Sequence, residues 1–326
     1  MIRPFAFLVP VYAAAVAAKN AAYDRGRAKL QQLSWPVVSV GNLSVGGAGK
    51  TPLVIRLAQL LAGEKVTVDV LSRGYGRSGS GVERVDPEGD AARFGDEPLL
   101  IARAAKVPVY VGASRYEAGL LAEGESERGS GGVGIHLLDD GFQHRRLARA
   151  LDIVVVHASD FEEGLLPAGR LREPLASLKR ASAIVLRAED RNLEAELRRR
   201  EISAPVWIQH RKVAVEFVTR AVAFCGIARP EEFFGALRGQ NVDLAATLTL
   251  RDHQTYSQRE IDRLTRTLRN NTANCFVTTE KDAARLSLAQ RMQLENVAPL
   301  RVVRLEVSLE DENAIVGQLT SLIMRK

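Results

Sequence analysis

The stretch at residues 37–52, VVSVGNLSVGGAGKTP, constrains the fold of this chain more than any other. Its β-branched start predicts a buried strand, its glycine-rich middle predicts a tight loop, and the apolar spacing at residues 53–62 predicts a helix. Strand, glycine loop and helix in this order are typical of a phosphate-binding loop, because backbone N–H groups and a helix N-terminus attract an anion. The predicted fold class is therefore α/β, with a P-loop NTPase-like parallel sheet around this stretch.

The residues predicted to bind nucleotide phosphates form one run: Val45, Gly46, Gly47, Ala48, Gly49, Lys50 and Thr51. Lys50 supplies positive charge, and the Thr51 hydroxyl suits a magnesium ion at the start of the helix. The strict motif has glycine five residues before Gly49, where this chain has Ser44. The strand and helix on either side favour a true phosphate loop over a chance glycine turn. A nucleoside triphosphate with Mg²⁺ is the predicted ligand of this loop.

Size and composition limit the remaining possibilities. A chain of 326 residues is long enough for two domains that each bury a core, and 26% charged residues are typical of a soluble globular protein. Cys225 and Cys275 have no metal-ligand spacing and are interpreted as reduced core residues. A net charge of +6 indicates an anionic partner: a nucleotide, a nucleic acid or a membrane surface.

The N-terminal segment at residues 5–18 is apolar, is interrupted by Pro10 and is followed by basic residues. It is too short and interrupted for a firm membrane span. Three interpretations remain: a helix lying in a membrane interface, a helix packed on the protein's own core, and a secretory signal. The signal ranks last, because secretion would separate the phosphate loop from its nucleotide.

Acidic residues lie at two predicted element boundaries. Asp139 and Asp140 follow the apolar strand at residues 135–138, and a carboxylate at a strand end beside a phosphate loop can hold Mg²⁺ or its water shell. Asp96 and Glu97 begin a predicted helix, where capping alone explains one carboxylate better than two. Thr51, Asp139 and Asp140 are therefore candidate ligands of the metal ion.

Further along the chain, strands and helices alternate in a second α/β unit at residues 221–279, followed by a closing strand and a closing helix. We predict an N-terminal domain at residues 1–157, to which residues 306–326 return, and a C-terminal domain at residues 158–305. Residues 124–134, rich in Gly, Ser and Glu, predict a flexible surface loop. Arg73 and Tyr75 follow a predicted strand, a position that suits substrate contact but also an ordinary basic turn.

Several motifs occur together in one order: VGN at residues 40–42, GGAGKTP at 46–52, SRGY at 72–75, GDEP at 95–98, LDDGFQH at 138–144, GRLREP at 169–174, DH at 252–253 and KD at 281–282. This set, spanning nearly the whole chain, closely resembles the tetraacyldisaccharide 4'-kinase family of lipid A biosynthesis. The resemblance implies ATP-dependent phosphorylation of the 4'-hydroxyl of a tetraacylated glucosamine disaccharide 1-phosphate, giving lipid IVA. It also implies two α/β/α domains joined by a two-stranded linker, and an N-terminal membrane-associating helix at the cytoplasmic face of a Gram-negative inner membrane.

The same resemblance implies roles for individual residues. Asp96 is the candidate base that takes the proton of the sugar hydroxyl, paired with His253 from the other domain, while Lys50 neutralises the developing charge. Thr51 with Asp139, Asp140 or Glu97 is implied to hold Mg²⁺. An Asp–His pair suits this role, since an imidazole with a pKa near 6.5 can orient a carboxylate and share its proton. The residues assigned to the lipid headgroup are Arg73, Tyr75, Arg115, Gln143, His144, Arg172 and Glu173.

The expected partners are the lipid disaccharide substrate and the anionic inner-membrane surface, with no obligate protein partner. A nucleotide switch that acts on a partner protein is the alternative, because glycine loops of this type occur there as well. A switch needs no base for a sugar hydroxyl, so Asp96 and His253 discriminate between the two. Nucleic acid is not expected, since no recognised nucleic-acid module is present and only 6% of residues are aromatic.

Overall fold

A computed structural model of the chain describes residues 5–47, 49–129, 133–215, 218–251 and 254–324. The strands are β1 Val37–Asn42, β2 Val68–Ser72, β3 Glu83–Arg84, β4 Val109–Val111, β5 Ile135–Asp139, β6 Leu151–Val155, β7 Ala183–Arg187, β8 Val206–Ala214, β9 Ala221–Cys225, β10 Leu244–Thr249, β11 Cys275–Thr279 and β12 Leu300–Leu309. The helices are α1 Val9–Asp24, α2 Lys50–Gly63, α3 Ala91–Phe94, α4 Asp96–Ala105, α5 Arg115–Gly129, α6 Leu193–Arg199, α7 Pro230–Gly239, α8 Gln258–Asn270, α9 Glu280–Arg285, α10 Leu288–Glu295 and α11 Glu312–Met324.

The described strands form one sheet in the order β10-β9-β11-β12-β8-β7-β6-β1-β5-β2-β4-β3. Neighbouring strands are parallel except β12 with β8 and β3 with β4. All six residues of β1 are buried, as expected for a parallel strand covered by helices on both faces. The α/β class predicted from the sequence is therefore confirmed, with most of the sheet parallel.

The sheet has two lobes, each with helices packed on both faces. In the first lobe, β1, β2 and β5 bury Val38, Val70 and Leu137 against α2, α4 and α11. The second lobe contains β9, β10 and β11, and α8 covers one face with Ile261, Leu264 and Leu268 at helical spacing. The long strands β8 and β12 pair antiparallel between the lobes.

The predicted boundary between two domains at residues 157 and 158 stays a prediction. The pairing of the strands that follow this boundary is relevant to it. Strand β7 pairs in parallel with β6, and β8 pairs with β7, so residues 183–187 and 206–209 extend the sheet of the first lobe. Helix α11 packs Ile315 and Leu319 into the core of that lobe. Its Glu312 also forms an ion pair with Arg56 of α2.

The prediction of a flexible loop at residues 124–134 is wrong for its first half, because α5 continues to Gly129. Tertiary contacts of the helical turn before residue 124 stabilise the helix, and this effect outweighs the low helix propensity of the glycine- and serine-rich sequence. Glu123 of α5 is buried and accepts a hydrogen bond of 2.7 Å from the Trp35 backbone N–H. Residues 130–132 lie outside the described part of the chain.

Candidate functional site

The phosphate loop leaves the carboxyl end of β1 and enters α2 at Lys50. Gly46 and Gly49 have φ angles of 102° and 85°, which favour glycine because a Cβ atom strains this backbone conformation. The segment at residues 169–172 braces the loop, since the Val45 N–H donates to the Arg170 carbonyl at 2.8 Å. Thr51 lies in the first turn of α2. Ala48 of the predicted run lies outside the described residues.

Lys50 links the loop to the acidic edge of the sheet. Its Nζ atom lies 2.8 Å from Asn42 Oδ1 and 3.2 Å from Asp140 Oδ1. Arg172 Nη1 donates to both Asp140 oxygens, at 3.0 and 2.9 Å. Burial opposes ionisation of Asp140, but Lys50 and Arg172 outweigh it and lower the pKa of this carboxyl below its usual value. Asp140 is thus an ionised partner of two cations.

Asp139, the last residue of β5, has a different environment. It is buried, and its Oδ2 atom accepts a hydrogen bond of 3.1 Å from Ser72. Its Oδ1 atom is buried and has no hydrogen-bond partner among the described residues. Burial first, then the negative charges of Glu97 and Asp140, raises the pKa of Asp139 to about 7. A cation at this carboxylate would relieve both effects.

These residues fit a magnesium ion that also takes ligands from phosphate and water. Within the described ranges, no three Asp, Glu, His or Cys side chains could hold a metal ion by themselves. Mg²⁺ typically takes one or two carboxylates and completes its shell with water and substrate phosphates. The unpartnered oxygen of Asp139, beside a loop suited to phosphates, matches that requirement.

Asp96 and Glu97 begin α4, and both contact cations of the second lobe. Asp96 Oδ2 accepts hydrogen bonds from Arg285 Nη2 at 2.7 Å and Nε at 2.9 Å. Glu97 Oε1 lies 2.9 Å from Lys281 Nζ. Lys281 and Arg285 are four residues apart in α9 and so project from one face of that helix. The start of α4 is therefore joined to the second lobe by two ion pairs.

The rest of this contact is built from buried polar groups. Asp282 is fully buried and accepts hydrogen bonds from the Tyr256 hydroxyl at 2.9 Å and the Gly226 N–H at 2.8 Å. Arg285 also donates to the Gly226 carbonyl at 2.7 Å. These bonds fix the guanidinium that faces Asp96. His253, predicted to pair with Asp96, lies outside the described residues, so that pair stays a prediction.

A cavity of about 340 Å³ lies between α1, the phosphate loop and the segment at residues 166–173. Its lining includes three residues predicted to bind substrate, Gln143, Arg172 and Glu173, together with Val45 of the loop. Helix α1 is attached at this cavity: the Tyr12 hydroxyl donates to the Arg172 carbonyl at 2.9 Å, and Asn20 donates to Glu173 at 2.7 Å. A ligand in this cavity would touch both the N-terminal helix and the phosphate loop.

Arg115 and His144, also predicted to bind substrate, lie near the acidic edge of the sheet but are not among the residues that line the cavity. Arg115 is buried at the start of α5, and burial followed by the charge of Arg73 lowers its pKa, partly offset by Asp139 and Asp140. Burial and then the positive charge of Arg115 lower the pKa of His144 to about 4. His144 is therefore neutral at physiological pH and suited to hydrogen bonding rather than charge pairing.

Arg73 and Tyr75 follow β2 on the exposed turn before Arg77. The Tyr75 side chain is 67% exposed, and neither residue lines the cavity. The structure thus brings Gln143, Arg172 and Glu173 together and leaves Arg73 and Tyr75 at the outer edge of the site.

Among the arginines near the site that have no predicted role from the sequence are Arg170, Arg211 and Arg285. The only sequence signal near Arg285 is the KD motif at residues 281–282, four and three residues before it. Arg170 donates from Nη2 to the Val45 carbonyl at 3.0 Å. Arg211 lies in β8 beside the phosphate loop, a placement that depends on sheet order and has no local sequence signal.

This chain is similar to known proteins both in sequence and in structure. A family model described as tetraacyldisaccharide-1-P 4'-kinase matches residues 1–324. The tetraacyldisaccharide 4'-kinase of Koribacter versatilis is 44% identical, with 98% of each chain covered. That of Geobacter metallireducens is 40% identical, with 92% of each chain covered. A crystal structure of LpxK from Aquifex aeolicus, described as an "apo" form in complex with ATP, is 29% identical with a TM-score of 0.75, covering 99% of this chain and 100% of that one.

Proposed function

The chain belongs to the tetraacyldisaccharide-1-P 4'-kinase family, and we propose that it transfers the γ-phosphoryl group of ATP to the 4'-hydroxyl of a tetraacylated glucosamine disaccharide 1-phosphate. The product is lipid IVA. One observation carries this proposal: the cavity beside α1 shares Val45 with the phosphate loop, so a headgroup there would lie next to bound nucleotide. Family membership does not favour the alternative of a nucleotide switch.

On the donor side, the loop at residues 45–51 binds the phosphates and Lys50 balances their charge. Thr51, Glu97, Asp139 and Asp140 are the residues that would hold Mg²⁺. The ion, when bound, neutralises charge on the phosphate oxygens. Asp139 is the best suited of the three carboxylates, since one of its oxygens has no partner among the described residues, whereas Asp140 and Glu97 already pair with lysine or arginine.

On the acceptor side, Asp96 takes the proton of the 4'-hydroxyl. The hydroxyl oxygen forms a bond to the γ-phosphorus, the bond from that phosphorus to the β–γ bridging oxygen breaks, and ADP leaves with the electron pair. His253 shares the proton with Asp96 in this proposal. Because Arg285 of the second lobe contacts Asp96, the relative position of the two lobes affects where this carboxylate lies.

The headgroup is recognised by polar side chains around the cavity. Arg172 and Gln143 are joined by a hydrogen bond of 3.2 Å, and both face the loop. Glu173 is held by Arg180 at 2.8 Å and by Asn20 of α1. Arg115 and the neutral His144 extend this surface, and Arg73 and Tyr75 lie at its exposed edge. The substrate's 1-phosphate suits the arginines, since guanidinium groups bind phosphate bidentately.

Helix α1 would bring this site to the cytoplasmic face of the inner membrane. The helical segment continues beyond residues 5–18 and covers Ala6–Asp24, so by length and composition it is long enough to cross a membrane, contrary to the expectation from the sequence. None of it is buried in the protein. Phe7 and Val11 are 75% and 67% exposed and lie one helical turn apart, whereas Tyr12 and Asn20 contact the protein. An apolar face turned away from the protein is typical of an interfacial helix.

A pair of substitutions tests the membrane contact without removing the site. Phe7→Asp with Val11→Asp should abolish sedimentation with vesicles of anionic phospholipid while ATP binding persists. Leu288→Asp, a change at another apolar side chain that is 75% exposed, is the matched control and should sediment as the wild type does. Unchanged sedimentation of the double variant would rule out α1 as the membrane contact.

The activity itself is tested with γ-labelled ATP and tetraacyldisaccharide 1-phosphate in detergent micelles. Label should enter the lipid with the wild-type protein, and Asp96→Asn should abolish this transfer. Asp262→Asn, an exposed carboxylate of α8, is the control that should retain activity. ATP hydrolysis without labelling of the lipid would contradict the proposed function and favour the nucleotide switch.

A further inference from the structure

Arg211 of β8 lies against the phosphate loop although it is distant from it in sequence. A Cβ atom built on Gly49 would lie 2.6 Å from Arg211 Nη2. The guanidinium therefore occupies the space that a side chain at Gly49 would need. Strand β8 connects the two lobes, pairing with β7 on one side and β12 on the other. A cation from this strand thus lies at the end of the loop nearest to α2.

The Arg211 guanidinium lacks the partners that a buried cation normally has. The side chain is 16% exposed, and its nearest carboxylate oxygen, Oε2 of Glu232, is 3.9 Å from Nη1. Among the described residues it makes no hydrogen bond, and its Nε atom is buried without a partner. Buried guanidinium groups are usually paired and hydrogen-bonded, since desolvation of an unpaired charge is costly.

Glu232 does not pair closely with Arg211, because its oxygens lie closer to two other arginines and a histidine. Its oxygens lie 2.8 Å from Arg187, 3.0 Å from Arg229 and 3.4 Å from His157 Nε2. Three arginines around one carboxylate leave an excess of positive charge. Burial, followed by the charge of Arg187, lowers the pKa of Arg211 to about 10, which agrees with a cation that is short of negative charge.

A second side chain of the same strand is also unsatisfied. Gln209 precedes Arg211 by two residues and so faces the same side of β8. It is fully buried, and neither Nε2 nor Oε1 has a hydrogen-bond partner among the described residues. Two alternate positions on one face of β8 therefore carry unused hydrogen-bonding groups, and one of them, Arg211, lies against the phosphate loop.

We propose that Arg211 binds the phosphate groups of the nucleoside triphosphate held by the loop, so that the strand joining the lobes completes the nucleotide site. The ligand is a polyphosphate anion, since its oxygens can accept from several guanidinium N–H groups at once. Arg170, beside Gly46, already donates from Nη2 to the Val45 carbonyl, whereas Arg211 makes no hydrogen bond among the described residues. This inference rests on the nucleotide-binding part of the proposed function and not on the identity of the acceptor.

Equilibrium binding of ATP and of adenosine, measured without lipid, tests the proposal. Arg211→Met should raise the dissociation constant for ATP by about tenfold or more, because charged hydrogen bonds to phosphate are lost. Arg211→Lys should retain part of the affinity, and adenosine binding should not change in either variant. Arg199→Met removes an arginine of α6 that is 72% exposed, and this control should bind ATP as the wild type does.

Thermal unfolding separates a binding role from a structural one. Without nucleotide, Arg211→Met should unfold at the same temperature as the wild type or higher, because it removes a buried charge with no close partner. The stabilisation by ATP should be smaller in this variant. Unchanged ATP affinity, or a lower unfolding temperature with parallel losses of ATP and adenosine binding, would overturn the proposal. If the wild type binds ATP but does not phosphorylate lipid, the proposed function fails while the inference about Arg211 stands.

Discussion

The contact between Asp96 and Arg285 should be among the strongest polar interactions between the two lobes. Both side chains are nearly buried, at 9% and 5% exposure, and two N–H groups of Arg285 reach Asp96 Oδ2 at 2.9 and 2.7 Å. Removing one member of a buried, hydrogen-bonded ion pair typically costs about 3–5 kcal/mol, because the other charge stays buried. We therefore expect Arg285→Gln to lower the free energy of unfolding by about 3 kcal/mol.

A double-mutant cycle isolates the contact from its surroundings. Arg285 also donates to the Gly226 carbonyl and to Asp282. The stability change of a single variant therefore includes more than the loss of the contact between Asp96 and Arg285. The coupling energy between Asp96→Asn and Arg285→Gln should be about 2 kcal/mol or more in urea unfolding followed by circular dichroism. The matched control is Arg291 with Glu295 on α10, a pair 47% and 41% exposed, with an expected coupling of about 0.3–0.5 kcal/mol.

Additive effects of Asp96→Asn and Arg285→Gln on the free energy of unfolding would contradict a stabilising contact between the two side chains. Additivity would mean that the ion pair seen at 2.7 and 2.9 Å does not stabilise the contact between the lobes in solution. A coupling energy as small as that of the exposed α10 pair would have the same meaning, because it would indicate that water screens the charges.

Three further predictions concern catalysis, pH and packing. Asp96→Ala and His253→Ala should each lower kcat far more than they weaken ATP binding, and the double variant should lose little beyond the worse single one; fully additive losses would rule out a functional pair. His136 is buried between Asp69 and Glu123, and although burial opposes its charge, the two carboxylates raise its pKa to about 9. The stabilisation of the folded protein by protonated His136 is thus complete below pH 6.5 and is lost as the pH rises to about 9. The unfolding temperature should therefore fall across that pH range in the wild type but not in His136→Gln. Gly41→Ala should destabilise by about 1–3 kcal/mol, since the new Cβ would lie 2.5 Å from Phe142 Cβ, whereas Gly317→Ala in α11 meets nothing within 4 Å and should stabilise; thermal unfolding of both variants checks this.

Local patterns were enough to predict the strand, loop and helix around Lys50 and the acidic strand end at Asp139. These features depend on residues that are close in sequence: a buried β-branched strand, glycines at positive φ and an apolar helix face. The α/β class follows from the same alternation and is confirmed. The individual roles of the predicted site residues stay predictions, supported by their positions.

Contacts between distant residues could not be predicted in the same way. Asp139 and Asp140 look equivalent in sequence, yet Asp140 pairs with Arg172, which is 32 residues away, while Asp139 keeps an oxygen without a described partner. Arg211 reaches the phosphate loop only because β8 lies in the same sheet as β1. The helix at residues 124–129 was missed for a similar reason, since Glu123 is held by Trp35, far away in sequence.

Phosphoryl transfer to the 4'-hydroxyl can be tested by comparing two lipid acceptors. One acceptor is tetraacyldisaccharide 1-phosphate with a free 4'-hydroxyl, and the other is the same lipid with that hydroxyl removed. We expect label in the first lipid alone, at the 4'-position, and ATP consumption that matches the label transferred. Equal labelling of both lipids, or ATP hydrolysis with no labelled lipid, would contradict this expectation.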